Sequence, residues 1–220
     1  GVSRAYHLSI YTGHIYSFAL MRIFTKYQMR KHTETQLNMP TIAVLNPKGG
    51  SGKTTVATCL ARALESDGSR VMLVDSDPQG SARDWHAIDP DNPTPVVGMD
   101  RSGGLRTLEQ MAGYDWMVID GAGRYEKITA EAVRIADFVL VPVQPSPYDI
   151  WAIAELIDLV KQRQTVSGGQ PILGAVISRT VPGTVLGRDI NEALAEIGVE
   201  HLDTQLGQRQ VYPQTANQGC

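Results

Sequence analysis

Residues 46–55, Asn46-Pro-Lys-Gly-Gly-Ser-Gly-Lys-Thr-Thr55, constrain this chain more than any other stretch. A short apolar run, Thr41-Ile-Ala-Val-Leu45, precedes them. A helical pattern with Val56, Leu60, Ala63 and Leu64 on one face follows. Strand, glycine-rich turn, helix is the layout of a loop that cradles phosphates. Its glycines let backbone N–H groups approach anionic oxygens with no Cβ in the way. A helix N-terminus adds roughly half a positive charge at the same place. Gly49, Gly50, Ser51, Gly52, Lys53, Thr54 and Thr55 are therefore the expected phosphate contacts, with Lys53 reaching the β/γ-phosphates and Thr54 a ligand of Mg²⁺. The loop departs from the common G-x-x-x-x-G-K-[ST] pattern: Pro47 stands where the first glycine belongs, and an extra lysine, Lys48, precedes the glycines.

The chain has 220 residues and 24.0 kDa, which suits one domain with a core that buries about 70% of the unfolded surface. A net charge of −3 excludes a generally basic nucleic-acid protein, so any DNA contact must come from a local patch. Residues 1–38 run against that balance, with Arg4, Arg22, Lys26, Arg30 and Lys31 set against Glu34 alone. They show no sustained hydrophobic period, and His7, His14 and His32 are too scattered for a metal site. We expect residues 1–38 to be an N-terminal extension outside the fold and residues 39–220 to form the domain. With two cysteines, Cys59 and Cys220, the chain is no disulfide scaffold and has no metal-ligand spacing. Cys59 reads as a small packed residue. No apolar run reaches the ~18 residues of a membrane span.

Continuous apolar runs followed by helical periods repeat along the chain. Val71–Val74, Trp116–Ile119, Phe138–Val143 and Ile172–Ile177 read as buried strands, and Val96-Val97 and Val199–Leu202 as shorter ones. Helices are expected at Lys53–Ser66, Ser81–Ile88, Leu105–Met111, Lys127–Ala136, Tyr148–Gln164 and Val185–Ile197. Alternation of this kind predicts a three-layer α/β phosphate-loop fold, a mostly parallel twisted sheet with helices on both faces. Three carboxylates, Asp75, Asp77 and Asp120, follow strands, and ligands bind at that sheet edge. Asp120 comes after four apolar residues, so a buried strand delivers it beside the Mg²⁺ shell.

Lys-Gly-Gly-x-Gly-Lys-Thr, Asp75-x-Asp77-Pro-Gln and the Asp120 strand end together resemble the ParA/MinD superfamily of deviant Walker A ATPases. Val141–Asp149 and Gln208–Tyr212 resemble its ParF-like group of short partition ATPases, as does Gly121-Ala-Gly123 after Asp120. The resemblance covers residues 41–216. It implies ATP and Mg²⁺ as cofactors, Asp77 orienting the attacking water, Asp75 supporting the Mg²⁺ shell, and Lys48 crossing a homodimer interface to the partner's nucleotide. It also places Arg179, Arg209 and Pro213 near adenine. By the same resemblance the ATP-bound dimer binds DNA non-specifically. A centromere-binding partner protein stimulates hydrolysis, and plasmids or chromosomes are segregated in the cytoplasm, on the nucleoid. Members of the family continue past the position of Cys220 with further helices, so this domain is expected to lack its C-terminal helices.

Three other readings remain. A MinD-like membrane-associated regulator needs a basic amphipathic C-terminal helix, which residues 203–220 do not show, although truncation would also remove it. A metabolic or redox enzyme of the same fold needs cluster-ligating cysteines or lacks the Asp75–Gln79 box. A truncated, non-catalytic nucleotide-binding module is favoured by the expected lack of C-terminal helices and opposed by the complete set of lysines and carboxylates.

Overall fold

The computed structural model describes residues 39–207, apart from 90, 112, 124–126 and 181–185. Seven strands form one sheet in the order β3-β2-β4-β1-β5-β6-β7. They are β1 (Thr41–Val44), β2 (Val71–Asp75), β3 (Val96–Gly98), β4 (Trp116–Asp120), β5 (Phe138–Val143), β6 (Ile172–Thr180) and β7 (Glu200–Gly207). Every pairing is parallel, so the sheet is wholly rather than mostly parallel. Six helices connect the strands: α1 (Lys53–Ser66), α2 (Ser81–Ile88), α3 (Leu105–Leu108), α4 (Lys127–Ile135), α5 (Pro147–Val166) and α6 (Leu186–Glu196).

Side chains alternate along each strand, and the alternation divides the core in two. Ile42 and Val44 of β1 join the cluster under α1 and α2, with Val56, Leu60, Leu64 and Trp85. Ala43 and Leu45 join the opposite cluster, built with Leu105, Ile128, Ile153, Leu156 and Leu194 of α3 to α6. Helices therefore cover both faces, which is why β1, β2, β4 and β5 read as unbroken apolar runs. Truncating a fully buried residue of this core, such as Leu60, costs about 2–5 kcal/mol.

Some boundaries differ from the sequence reading. The α3 helix stops at Leu108, where a turn from the Met111 N–H to the Leu108 carbonyl takes over. β6 and β7 run further than their apolar cores because each is completed by pairing with the other, across two register shifts. Along α5 the buried stripe is Ile150, Ile153, Leu156, Ile157 and Val160, while Ala154 faces solvent. Cys59 packs partly buried against the α1 cluster, and burial pushes its thiol up to about 12, so it is inert at neutral pH.

The chain leaves β1 through α1 towards β2, but leaves β4 through α4 towards β5 on the other face. That reversal opens a crevice beyond the carboxyl end of β1, where such sheets bind ligands. Register brings the strand ends level there: Val44 and Asp75 both lie beside Asp120, and Gly98 lies beside Asp75.

Candidate nucleotide-binding site

The loop after β1 is pinned at both ends. The Asn46 side chain donates to the Pro142 carbonyl at 2.7 Å and accepts from the Lys48 N–H at 2.7 Å. The Gln144 amide donates to the Gly50 carbonyl at 2.9 Å, and the Ser178 hydroxyl to the Ser51 carbonyl at 3.1 Å. Gly50 and Gly52 have φ of 71° and 97°, a left-handed conformation that residues with a Cβ resist. Gly49, Gly50 and Thr55 are exposed and Thr54 half-buried. No side chain caps α1 at Gly52 and its first turn holds no acid, so the positive helix end is left for a ligand.

Lys53 is 7% exposed, and its ammonium donates to the Lys48 carbonyl at 3.2 Å. Desolvation lowers its pKa, while Asp120 and Asp77 oppose that fall. Gly123 sits against the same cluster: a Cβ there would lie 3.6 Å from Lys53 Nζ and 3.9 Å from Asp77 Oδ2. Lys53, Asp77 and the turn after β4 thus converge over the loop. Gly121 is required for a different reason, since a Cβ would meet Leu45 Cδ2 at 2.4 Å and the Val44 carbonyl at 2.8 Å.

The carboxylates differ in their surroundings. Asp120 is 1% exposed, and neither oxygen has a hydrogen-bond partner at normal geometry. Burial pushes its pKa up to about 7; the nearby Thr54 hydroxyl and Lys53 oppose the shift, and Asp75 and Asp77 add to it. Asp75 is fully buried but satisfied. Its Oδ1 accepts from the Asp77 N–H at 3.1 Å, and its Oδ2 accepts from the Arg83 N–H at 2.9 Å and Arg83 Nε at 3.3 Å. Asp77 accepts from the Gln79 N–H at 2.9 Å. Among the described residues, six buried side-chain polar atoms lack a partner, and four of them (Ser51 Oγ, both Asp120 oxygens and Asp149 Oδ1) surround this loop. A site built for something absent from the chain itself concentrates such atoms. Two buried carboxylate oxygens beside a threonine hydroxyl suit a hard divalent cation such as Mg²⁺.

Lys48 points to α5. Its ammonium lies 2.8 Å from Asp149 Oδ2, and Asp149 is 1% exposed at the start of that helix. Sequence reasoning placed Lys48 and Asp149 in separate motifs but missed that they pair; it also missed Arg83, which sits in no recognisable motif. Arg179 is exposed at the end of β6, one residue from Ser178, with φ of 57° at a register shift between β6 and β7. A non-glycine residue in that region is uncommon and clusters at functional sites. Arg209 and Pro213 lie outside the described residues, as do residues 1–38 and Cys220.

Comparisons with known proteins follow the same geometry. Over 186 residues the chain is 33% identical to the maintenance of carboxysome distribution protein A of Halothiobacillus neapolitanus, covering 81% of this chain and 84% of that one. It is 28% identical to protein ParA of Rhizobium radiobacter, covering 79% and 81%. An ATP complex of McdA from Cyanothece superposes with a TM-score of 0.66 at 17% identity, over 84% of this chain and 89% of that one. Cobyrinic acid a,c-diamide synthase of Mycobacterium smegmatis, bound to an ATP analogue and magnesium, gives 0.65 at 21% identity, over 82% and 91%. The family model for the CobQ/CobB/MinD/ParA nucleotide binding domain matches residues 42–219, and with the phosphate loop, its second lysine and the three strand-end carboxylates in place, this chain belongs to that family.

Proposed function

We propose that this chain is a Mg²⁺-dependent ATPase whose ATP-bound form pairs with a second copy and positions a cargo in the cell. The observation that carries the chemistry is Asp120, a buried carboxylate with both oxygens unpartnered beside Thr54 and Lys53. ATP bound on Gly49–Thr55 has its phosphates against the α1 N-terminus and Lys53. Thr54 and Asp120 would hold Mg²⁺, with Asp75 supporting them from behind, and the cation would supply positive charge to offset that on the phosphate oxygens. Asp77 orients a water for attack on the γ-phosphorus, giving ADP and inorganic phosphate. A carboxylate need not be a strong base for this, because phosphoryl transfer depends chiefly on positioning and charge stabilisation. Arg179 serves the adenine end in this reading.

Lys48 acts across the dimer in this reading, where a cation supplied in trans is worth about 10³–10⁵ in rate. In the structure it is bound to Asp149 of its own chain, so crossing requires that pair to open. The proposed cellular role is partition: the dimer binds DNA non-specifically, and a centromere-binding protein stimulates hydrolysis. The chain is cytoplasmic in this reading, and nucleoid-associated when ATP-bound. No described helix is long and apolar enough to cross a membrane. The relative named for carboxysome distribution favours a second reading of the cargo, a carboxysome in place of a plasmid or chromosome.

ATP hydrolysis measured with and without DNA, and with a candidate partner, tests the proposal. Turnover that rises with DNA and partner together is the expected result. Tight ATP binding with no hydrolysis under any of these conditions would leave a nucleotide-binding module and remove the ATPase.

A further inference from the structure

We propose that Arg83 is a positioning residue that sets the aim of Asp77, with Asp75 as the intermediate through which it acts. The inference rests on the water-orienting role of Asp77 proposed above. Arg83 holds the Asp77 peptide from both sides. Its Nη2 donates to the Asp77 carbonyl at 3.0 Å. Its backbone N–H and Nε donate to Asp75 Oδ2, and Asp75 Oδ1 in turn takes the Asp77 N–H. With Asp77 Oδ1 occupied by the Gln79 N–H, the oxygen left to act is Oδ2, the one nearest Gly123 on the Lys53 side.

Two glycines make room for the guanidinium. A Cβ at Gly98 would meet Arg83 Cδ at 3.0 Å and Nη1 at 3.2 Å; a Cβ at Gly80 would meet Nη2 at 3.2 Å. Gly98 lies beside Asp75 in the sheet and Gly80 precedes α2, so strand end and helix start both admit the side chain. Asp100 stands 3.8 Å from Nη2 on the outer side. Asp75 therefore has both oxygens committed to this clamp, and the carboxylate left for the cation is Asp120. A planar fork that reaches a carboxylate and a carbonyl together is an arginine property, which a lysine ammonium cannot reproduce.

The test uses wild type, Arg83→Ala, Arg83→Lys, Gly98→Ala, Asp77→Ala and the Asp77→Ala/Arg83→Ala double variant. Affinity for a fluorescent ATP analogue, single-turnover hydrolysis and hydrogen exchange of residues 76–80 are read in each. Arg83→Ala should bind ATP within about twofold of wild type yet hydrolyse it at least about tenfold more slowly, since small misplacements near the chemistry cost up to about 10²-fold. Exchange at residues 76–80 should quicken without nucleotide. Arg83→Lys should not restore the rate. The double variant should be no slower than Asp77→Ala, because Arg83 works through Asp77. Where Arg83→Ala does not fold, Gly98→Ala crowds the guanidinium while keeping it, and slower hydrolysis at unchanged affinity is again expected. Wild-type hydrolysis in a folded Arg83→Ala, full rescue by lysine, unchanged exchange, or multiplied losses in the double variant would overturn the inference. If Asp77→Ala hydrolyses at the wild-type rate, the role of Asp77 falls and the inference with it; if Asp77→Ala is slow and Arg83→Ala is not, only the inference falls.

Discussion

At Asp120, burial and the adjacent Asp75 hold the carboxyl pKa near 7, well above its value of 3.8 in an unfolded chain. Between those values the folded protein keeps a proton that the unfolded chain has released. The stability this group contributes is therefore complete below about pH 4 and is lost as pH rises through 7, at up to ~1.4 kcal/mol per pH unit. Asp120→Asn should remove that term, so in urea unfolding without Mg²⁺ the variant gains on wild type between pH 5 and pH 8; parallel pH profiles would show that Asp120 is already ionised. Lys48 poses the converse case. Lys48→Ala leaves Asp149 buried without its cation, costing roughly 1–3 kcal/mol. Adding Asp149→Asn should recover most of that loss in a thermal melt. Restored stability should not restore ATP-dependent pairing if Lys48 acts on the partner's nucleotide.

Among the elements, those buried on both faces were the most legible. Four of the strands are continuous apolar runs because helices cover each side, and the α1 boundaries follow from the phosphate loop before it and Asp67-Gly68 after it. β7 was read short because Glu200–Gly207 is mostly polar, and its length comes from pairing with β6 rather than from apolar content. Arg83 was unreadable for a related reason. On a helical wheel it is one more solvent-side arginine, and only the glycines at 80 and 98 and the carboxylate at 75 make it a clamp. Glu131 behaves similarly: this buried acid of α4 accepts from the N–H groups of Gly103 and Arg106 and so caps the short α3. Gly121, by contrast, carries a strong constraint in plain view. Gly121→Ala forces a methyl against the Val44 carbonyl and Leu45, and should cost about 1–3 kcal/mol in denaturant unfolding. An unchanged midpoint would mean the turn after β4 can shift without loss.

For the whole molecule, the fold places every described site residue at one edge of the sheet, so nucleotide binding should stabilise the chain as a unit. At 100 times its Kd, ATP with Mg²⁺ should add about 2.7 kcal/mol to unfolding of wild type, and Lys53→Ala should lose most of that. If pairing precedes hydrolysis, as proposed, Asp77→Ala should accumulate an ATP-bound dimer in sedimentation. A monomer under those conditions would separate nucleotide binding from self-association. One residue offers a way to watch that event without labels. Trp85 and Trp116 are 5% and 3% exposed, whereas Trp151 is 70% exposed, edge-on to Tyr148 at 5.6 Å between ring centroids, on the helix that carries Asp149. The red edge of the protein's own emission therefore comes mainly from a single indole a few residues from the Lys48 ion pair. Any body that covers that end of α5, whether a second copy or another protein, should announce itself as a colour change.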